Sequence, residues 1–305
     1  MGLAILFSGQ GSHHPGMFDL LKRYKKLTPY METASRFTGL SFREIDDLSK
    51  EKVLKNKYDQ TLLCTLSYAL WQGLSPILPT PVLFAGFSLG ELCCYASAGC
   101  IGFQKLLRLS KSRAALMAQA SPQNIKVAAV IGVPLKELKN ECERFNCYIM
   151  IISGPDHATV GGIAKNADAL FQSLKKFSLL NIKNIQVNVL SHTPLMNDAS
   201  KKFRGILQKT RFRNPAIPVL AGIDGRLIRT KNTAIETLAS QINHTVRWET
   251  CMRNASERGA NVFLEIGPGA TLTHIAQDLI PGCHANAVDR FKTLNGIAAW
   301  IKKFV

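Results

Sequence analysis

The stretch Pro81-Val82-Leu83-Phe84-Ala85-Gly86-Phe87-Ser88-Leu89-Gly90-Glu91-Leu92-Cys93-Cys94-Tyr95-Ala96-Ser97-Ala98 is the one from which the fold is read. Its first part is a short apolar run bounded by Pro and Gly, as expected of a strand buried on both faces. Its last part, Glu91–Ala98, has a helical pattern. Between them, Gly86-Phe87-Ser88-Leu89-Gly90 places Gly-x-Ser-x-Gly in the strand–turn–helix setting that a nucleophile elbow requires. The glycines permit the sharp turn and leave room for Ser88 to project. The helix that follows would point its N-terminus at the site, with the Leu89 N–H free to donate to a developing oxyanion. An isolated Gly-x-Ser-x-Gly is also compatible with a plain turn serine, and the flanking strand and helix favour the nucleophile.

Outward from this stretch, strands and helices alternate. Leu3–Ser8 and Val262–Ile266 read as further buried strands. Helical patterns cover Tyr58–Leu74, Gln104–Ala120, Pro194–Lys209, Thr233–Ile242, Glu249–Arg258 and Thr271–Leu279. That alternation predicts an α/β fold with a parallel sheet in a three-layer core. A different rhythm runs through the middle of the chain. Lys126–Val133, Tyr148–Ser153, Thr159–Gly162 and Ile185–Val189 are strand-like, and Leu135–Phe145 and Ala164–Phe177 are helical. This β-α-β-β-α-β order is ferredoxin-like. It divides the chain into a core of 1–125 and 190–305 and an inserted α+β subdomain of 126–189.

Composition narrows the class. The chain has 305 residues, 46% of them apolar and 19% charged, which excludes a disordered or low-complexity chain. No apolar run is long enough to span a bilayer. The start, Met1-Gly2-Leu3-Ala4-Ile5-Leu6-Phe7-Ser8-Gly9-Gln10-Gly11, lacks a basic n-region and reads as a strand entering a tight turn, not a signal peptide. The eight cysteines form no Cys-x-x-Cys pair and sit in apolar or helical settings. They read as small buried hydrophobes in a reducing cytoplasm, and no metal site is expected. The unusual quantity is charge: 38 Lys and Arg against 21 Asp and Glu leave a net +17. Nucleic acid, an anionic membrane, or an acidic partner or substrate would each suit it.

A serine needs a base to become a nucleophile. Among seven histidines, His192 in Val189-Leu190-Ser191-His192-Thr193-Pro194-Leu195-Met196 follows a strand-like run and precedes a helix, where α/β active sites form. His13 and His14, in a glycine turn, compete for the role. His157, His244, His274 and His284 have weaker settings. The turn Phe7-Ser8-Gly9-Gln10-Gly11-Ser12 can present backbone N–H groups, or can simply connect a strand to a helix.

Together these residues make a joint signature. Phe-Ser-Gly-Gln-Gly-Ser near the N-terminus, Gly-Phe-Ser-Leu-Gly-Glu, an Arg one helix later, Ser-His-Thr-Pro-Leu-Met, Val246-Arg247-Trp248 and Glu265-Ile266-Gly267-Pro268-Gly269 occur in order. The chain resembles the malonyl-CoA:acyl-carrier-protein transacylases over nearly its whole length. The resemblance implies an α/β-hydrolase-like core carrying the ferredoxin-like insert. It implies Ser88 as nucleophile and His192 as base in a ping-pong transfer of malonyl from malonyl-CoA to a carrier's phosphopantetheine-type thiol. It further implies the backbone N–H groups of Gln10 and Leu89 as the oxyanion hole. Arg113 would hold the substrate carboxylate, and the Gln241 carbonyl would orient the histidine. No cofactor would be bound by the chain. Four positions depart from the usual pattern: Ser8 where Pro is common, His13 where Gln is common, Phe87 for the usual His, and Ser153-Gly154-Pro155-Asp156-His157 for an Asn-rich stretch. Phe87, Gly154-Pro155-Asp156-His157 and Ala221-Gly222-Ile223-Asp224-Gly225 look more like the transacylase component, or epsilon subunit, of malonate decarboxylase. The carrier is then either that enzyme's own carrier subunit or a fatty-acid carrier.

Two rivals are weighed. A serine hydrolase or thioesterase would share the elbow but should place an acid between Ser and His in chain order. After Glu143 only Asp156 and Asp168 precede His192, both in the insert. A nucleic-acid-binding protein would need a basic stripe with stacking aromatics. Residues 165–213 hold ten Lys or Arg against Asp168 and Asp198, interleaved with Phe171, Phe177, Phe203 and Phe212. At helical spacing those rings read as core. The basic segment flanks His192 and is expected to dock an acidic carrier protein.

Overall fold

The computed structural model describes residues 2–41, 44–45 and 58–305. It is a mixed α/β structure built on two sheets. The strands, in chain order, are β1 (Gly2–Phe7), β2 (Leu83–Gly86), β3 (Ile125–Ile131), β4 (Tyr148–Ile152), β5 (His157–Ile163), β6 (Asn181–Asn184), β7 (Val219–Leu220), β8 (Leu227–Ile228), β9 (Val246–Arg247), β10 (Ala260–Ile266) and β11 (His284–Ala287).

The first sheet has the order β11-β10-β1-β2-β7-β8. Its strands run parallel apart from β8. Strand β1 shows why it is buried on both faces. Leu3, Ile5 and Phe7 enter one apolar cluster with the helices Asp59–Leu74 and Leu89–Ser97. Ala4 and Leu6, one pleat out of phase, enter a second with Trp248, Cys251, Met252 and Ile275 of the helices Trp248–Glu257 and Thr271–Leu279. Sheet between two helical layers is the three-layer core expected from the alternation.

The register positions the site. Phe7, at the end of β1, is opposite Gly86 of β2 and Ile266 of β10. The turns after all three strands therefore emerge side by side at the carboxyl end of the sheet, where α/β folds bind ligands. Their close approach demands glycine at two points. A Cβ on Gly9 would stand 2.6 Å from the Phe87 carbonyl oxygen, and one on Gly90 would collide with the Phe7 carbonyl oxygen. Gly90→Ala is accordingly expected to destabilise the protein by about 1–3 kcal/mol, the usual cost of overpacking. A denaturant midpoint equal to the parent's would contradict this.

The second sheet has the order β6-β3-β5-β4-β9. Pairs β3–β5, β3–β6 and β4–β5 are antiparallel, and β4–β9 is parallel. The helices Leu135–Arg144 and Ala164–Leu174 cover one face through Leu138, Cys142, Ala167, Leu170 and Leu174. On the other side, Val127, Met150 and Ile151 pack into the cluster beneath the first sheet.

Two expectations change here. Ile185–Val189 is not a strand; the edge strand is Asn181–Asn184, opposite Ala128–Ile131. Ile185 and Val187 instead fold inward beside Phe87 and Trp248, so their alternation reflects contact with the site. The two-residue β9 comes from outside 126–189, so residues of both sequence blocks share this sheet. Phe203 and Phe212 are buried, and Phe171 and Phe177 pack on the core of the second sheet, which leaves no row of exposed stacking rings in this segment.

Candidate active site

Ser88 lies between β2 and the helix Leu89–Ser97, with φ 56° and ψ −109°. His192 has φ 63°. Both are in the left-handed region that side-chain-bearing residues avoid, at about 1–3 kcal/mol each. The two strained residues meet: Ser88 Oγ lies 2.7 Å from His192 Nε2. The other ring nitrogen, Nδ1, lies 2.6 Å from the Gln241 carbonyl oxygen. A carbonyl can only accept, so Nδ1 carries the proton and Nε2 is left bare to accept from the serine hydroxyl. The acid that a hydrolase triad would place on Nδ1 is replaced by this carbonyl. Asp168 pairs with Lys126 at 2.6 Å on the surface instead.

Arg113, from the helix Phe103–Ala120, is buried beneath the serine. Its Nη2 donates to Ser88 Oγ and to Gln241 Oε1, both at 3.4 Å, and its Nη1 donates to Gln60 Oε1 at 3.0 Å. Its Nε is buried with no hydrogen-bond partner among the described residues. Burial lowers the guanidinium to about 10, so it stays charged at neutral pH. Burial, and then the Arg113 charge, push His192 down to about 3. The imidazole is therefore neutral and able to accept a proton over the whole ordinary pH range.

Gln10 follows β1 and borders a small cavity of about 70 Å³ with Phe87, Ser88, Met150, Ile185 and His192. Its side-chain amide is fixed by Asp59, to which its Nε2 donates, and by Gln60, whose Nε2 donates to its Oε1 at 3.0 Å. Leu89 is the first residue of its helix, so its N–H has no acceptor within that helix. The six residues marked in the sequence thus converge on one place. Four of the rival histidines have other neighbours, and His244 lines the groove that opens from His192. His13 Nε2 sits 2.6 Å from Asp59 Oδ1, off the line of a good hydrogen bond, and His14 pairs with Asp289 at 2.8 Å. His274 meets Arg290 and His284 stacks on Phe304.

Two departures find physical partners. Ser8 donates to Glu265 Oε1 at 2.8 Å, and Thr273 donates its N–H and hydroxyl to Glu265 Oε2 at 2.8 and 2.9 Å. Phe87 packs edge-on against Trp248, ring centroids 5.3 Å apart. Sequence reasoning missed Gln60, Asp59 and Glu91. A signal existed for each, since all three are polar positions within apolar helical stretches. What they contact was invisible, because their partners are distant in the chain. Among the described residues, no group of three His, Cys, Asp or Glu is arranged to hold a metal ion. No helix of the described residues is long and apolar enough to cross a membrane.

The acyl transferase domain family matches residues 5–292 of the chain. The malonyl CoA-acyl carrier protein transacylase of Haemophilus influenzae is 26% identical, with 98% of both chains covered. A probable mitochondrial malonyl-CoA-acyl carrier protein transacylase of Drosophila melanogaster is 28% identical, covering 90% of this chain and 78% of that protein. A solved structure of a type II PKS acyl-carrier protein in complex with its malonyl-transacylase superposes with a TM-score of 0.91 at 25% identity, covering 98% of this chain and 99% of that one.

Proposed function

Because this chain belongs to the acyl transferase domain family, we propose that it moves a malonyl group from malonyl-CoA to the thiol of an acyl carrier protein through an ester on Ser88. The observation that carries this is one oxygen with two partners. Ser88 Oγ is within 2.7 Å of a neutral imidazole nitrogen and 3.4 Å of a buried guanidinium. A base makes the serine a nucleophile, and a guanidinium is shaped for a carboxylate.

In the first half-reaction Ser88 Oγ attacks the thioester carbonyl as His192 Nε2 takes its proton. The N–H groups of Gln10 and Leu89 hold the resulting oxyanion. Collapse breaks the carbon–sulfur bond, and the departing CoA sulfur receives the proton from His192. In the second half-reaction the carrier thiol gives its proton to His192 and attacks the ester carbonyl. The Ser88 oxygen leaves and recovers that proton. The malonyl carboxylate pairs with Arg113. That pairing also offsets the Arg113 charge acting on His192, making the base stronger once the correct acyl group is seated. The Gln241 carbonyl keeps the ring oriented in both halves.

A groove of about 450 Å³ runs from His192 past Pro194, His244, Arg247, Tyr148 and Lys139, and supports an approach path for a pantetheine arm. The fold is best described as an α/β-hydrolase-like core, 1–125 and 190–305, with a ferredoxin-like insert, 126–189, whose sheet β9 extends. The carrier is an acidic protein. Lys201 and Lys202 are exposed on the helix Asn197–Lys209, which begins shortly after His192. Lys201→Glu with Lys202→Glu is expected to raise the KM for carrier about tenfold and leave hydrolysis of the malonyl ester unchanged. Carrier kinetics equal to the parent's would dismiss this docking face.

Phe87 and the Gly154-Pro155-Asp156-His157 turn resemble the malonate decarboxylase component, whereas the matched relatives are malonyl-CoA-acyl carrier protein transacylases, so the carrier is either the malonate decarboxylase carrier subunit or a fatty-acid or polyketide carrier. No cofactor is bound by the chain. The unpaired cysteines fit a cytoplasmic setting. The deciding experiment offers malonyl-CoA and the two kinds of carrier in parallel. A malonyl ester on the Ser88 peptide by mass spectrometry, followed by transfer to a carrier, is expected. No ester on Ser88 would refute the mechanism, and the carrier that accepts malonyl faster identifies the partner.

A further inference from the structure

Glu91 is fully buried one helical turn beyond Ser88, and the acyl-transfer steps above make no use of it. A carboxylate is among the costliest groups to bury without partners, so its contacts define its task. Glu91 Oε2 accepts from Gln241 Nε2 at 2.7 Å and from the Gly222 N–H at 2.9 Å. The same Gln241 Nε2 donates its second proton to the Ser88 carbonyl at 2.9 Å, and Gln241 Oε1 accepts from Arg113. The Gln241 backbone carbonyl, meanwhile, is the group on His192 Nδ1. One residue thus touches base, nucleophile backbone and arginine, and Glu91 is what grips its side chain from below. Gln241 is also the C-cap of the helix Lys231–Ser240, where helix hydrogen bonding alone does not fix the carbonyl direction.

We propose that Glu91 is a positioning residue for acyl transfer, holding the Gln241 amide so that the Gln241 carbonyl keeps His192 aimed at Ser88. The carboxylate acts where a triad acid would, with Gln241 interposed between it and the imidazole. A charged acceptor makes the stronger bond, and protonation weakens the grip. Burial pushes the Glu91 carboxyl up to about 7, opposed by the Gly222 and Gln241 hydrogen bonds and the Arg113 charge. The other groups facing it are Asp224, Tyr95, Cys94 and Cys251. Asp224 raises it slightly, and the phenol and the two thiols are kept neutral by burial. In the empty site His192 is held at about 3, well below Glu91, and loss of the limb in Glu91→Gln is what assigns it to the carboxylate.

The inference rests on the acyl-transfer reading, and its test separates the two. The rate of Ser88 malonylation is measured from pH 5 to 9 in the parent, Glu91→Gln and Gln241→Met, all as full-length chains. The parent should show an acid limb near pH 7. Glu91→Gln should lower kcat about tenfold or more, change KM for malonyl-CoA less than twofold, and lose that limb. Gln241→Met keeps the carbonyl and removes the amide. It should lose the same limb, and it provides the readout if Glu91→Gln does not fold. A limb preserved in either variant, or a Glu91→Gln kcat equal to the parent's, overturns the positioning role while leaving the mechanism intact. A parent that forms no ester on Ser88 overturns the acyl-transfer reading itself.

Discussion

Ser88→Ala is expected to lower malonyl transfer by about 10⁴-fold or more, the scale of losing a nucleophile that acts as a unit with its base. The covalent route ends with the hydroxyl, because the CoA thioester then has nowhere to leave its acyl group. His192 faces a methyl group and has no proton to take. Substrate affinity should survive, since Arg113 keeps its contacts to Gln60 and Gln241. Titration calorimetry with malonyl-CoA and single-turnover transfer to carrier provide the two measurements. Unchanged binding with transfer abolished is the expected pair. Transfer within a factor of ten of the parent would remove Ser88 from the mechanism. The substitution leaves position 88 at φ 56°, and alanine is no better suited to that region than serine, so little change in stability is expected.

Arg113→Ala should lower kcat/KM for malonyl-CoA by about 10²–10³-fold, in the range for losing one partner of a buried charge pair. Acetyl-CoA, which has no distal carboxylate, should lose far less, so the ratio of the two specificity constants is the readout. Arg113→Lys should recover only part of the malonyl activity. A lysine ammonium can replace the charge but not donate in one plane to carboxylate, Gln60 and Gln241 together. There is an electrostatic corollary. Since the arginine charge helps hold His192 at about 3, its removal should raise the histidine towards its ordinary value. Measured in the Glu91→Gln background, which removes the limb near pH 7, acyl transfer from acetyl-CoA by Arg113→Ala should then fall at a higher pH than with Arg113 in place, as the base becomes protonated sooner. Equal losses for malonyl and acetyl donors would show that Arg113 maintains the site instead of reading the carboxylate.

Much of the site was legible in local sequence because its chemistry sits where regular structure stops. Ser88 is announced by apolar residues before it, glycines around it and a helix after it. His192 was harder, since five residues on its N-terminal side mimic a strand. Those residues alternate because Ile185 and Val187 reach into the apolar cluster beside the serine, and hydrophobic periodicity reports burial whether or not a ladder forms. Arg113 and Gln241 were marked through resemblance alone. An arginine on a helix is ordinarily solvated, and nothing nearby in the chain says that this one is 1% exposed.

Local pattern in the chain determined the alternating α/β architecture, the elbow at Ser88 and the turn at Gln10, because strand pleat, helical period and glycine geometry act over a few residues. Tertiary structure decided which partners those groups meet. Parallel pairing of β1, β2 and β10 in one register brings residues 7, 86 and 266 level, and with them the three turns. It set His192, and not His13, against Ser88, put the Gln241 carbonyl where a triad acid would sit, and placed Glu91 beneath them. Such choices depend on contacts across 49 to 150 residues of chain. No local pattern encodes them, because the free energy that selects each partner comes from burying the whole cluster at once.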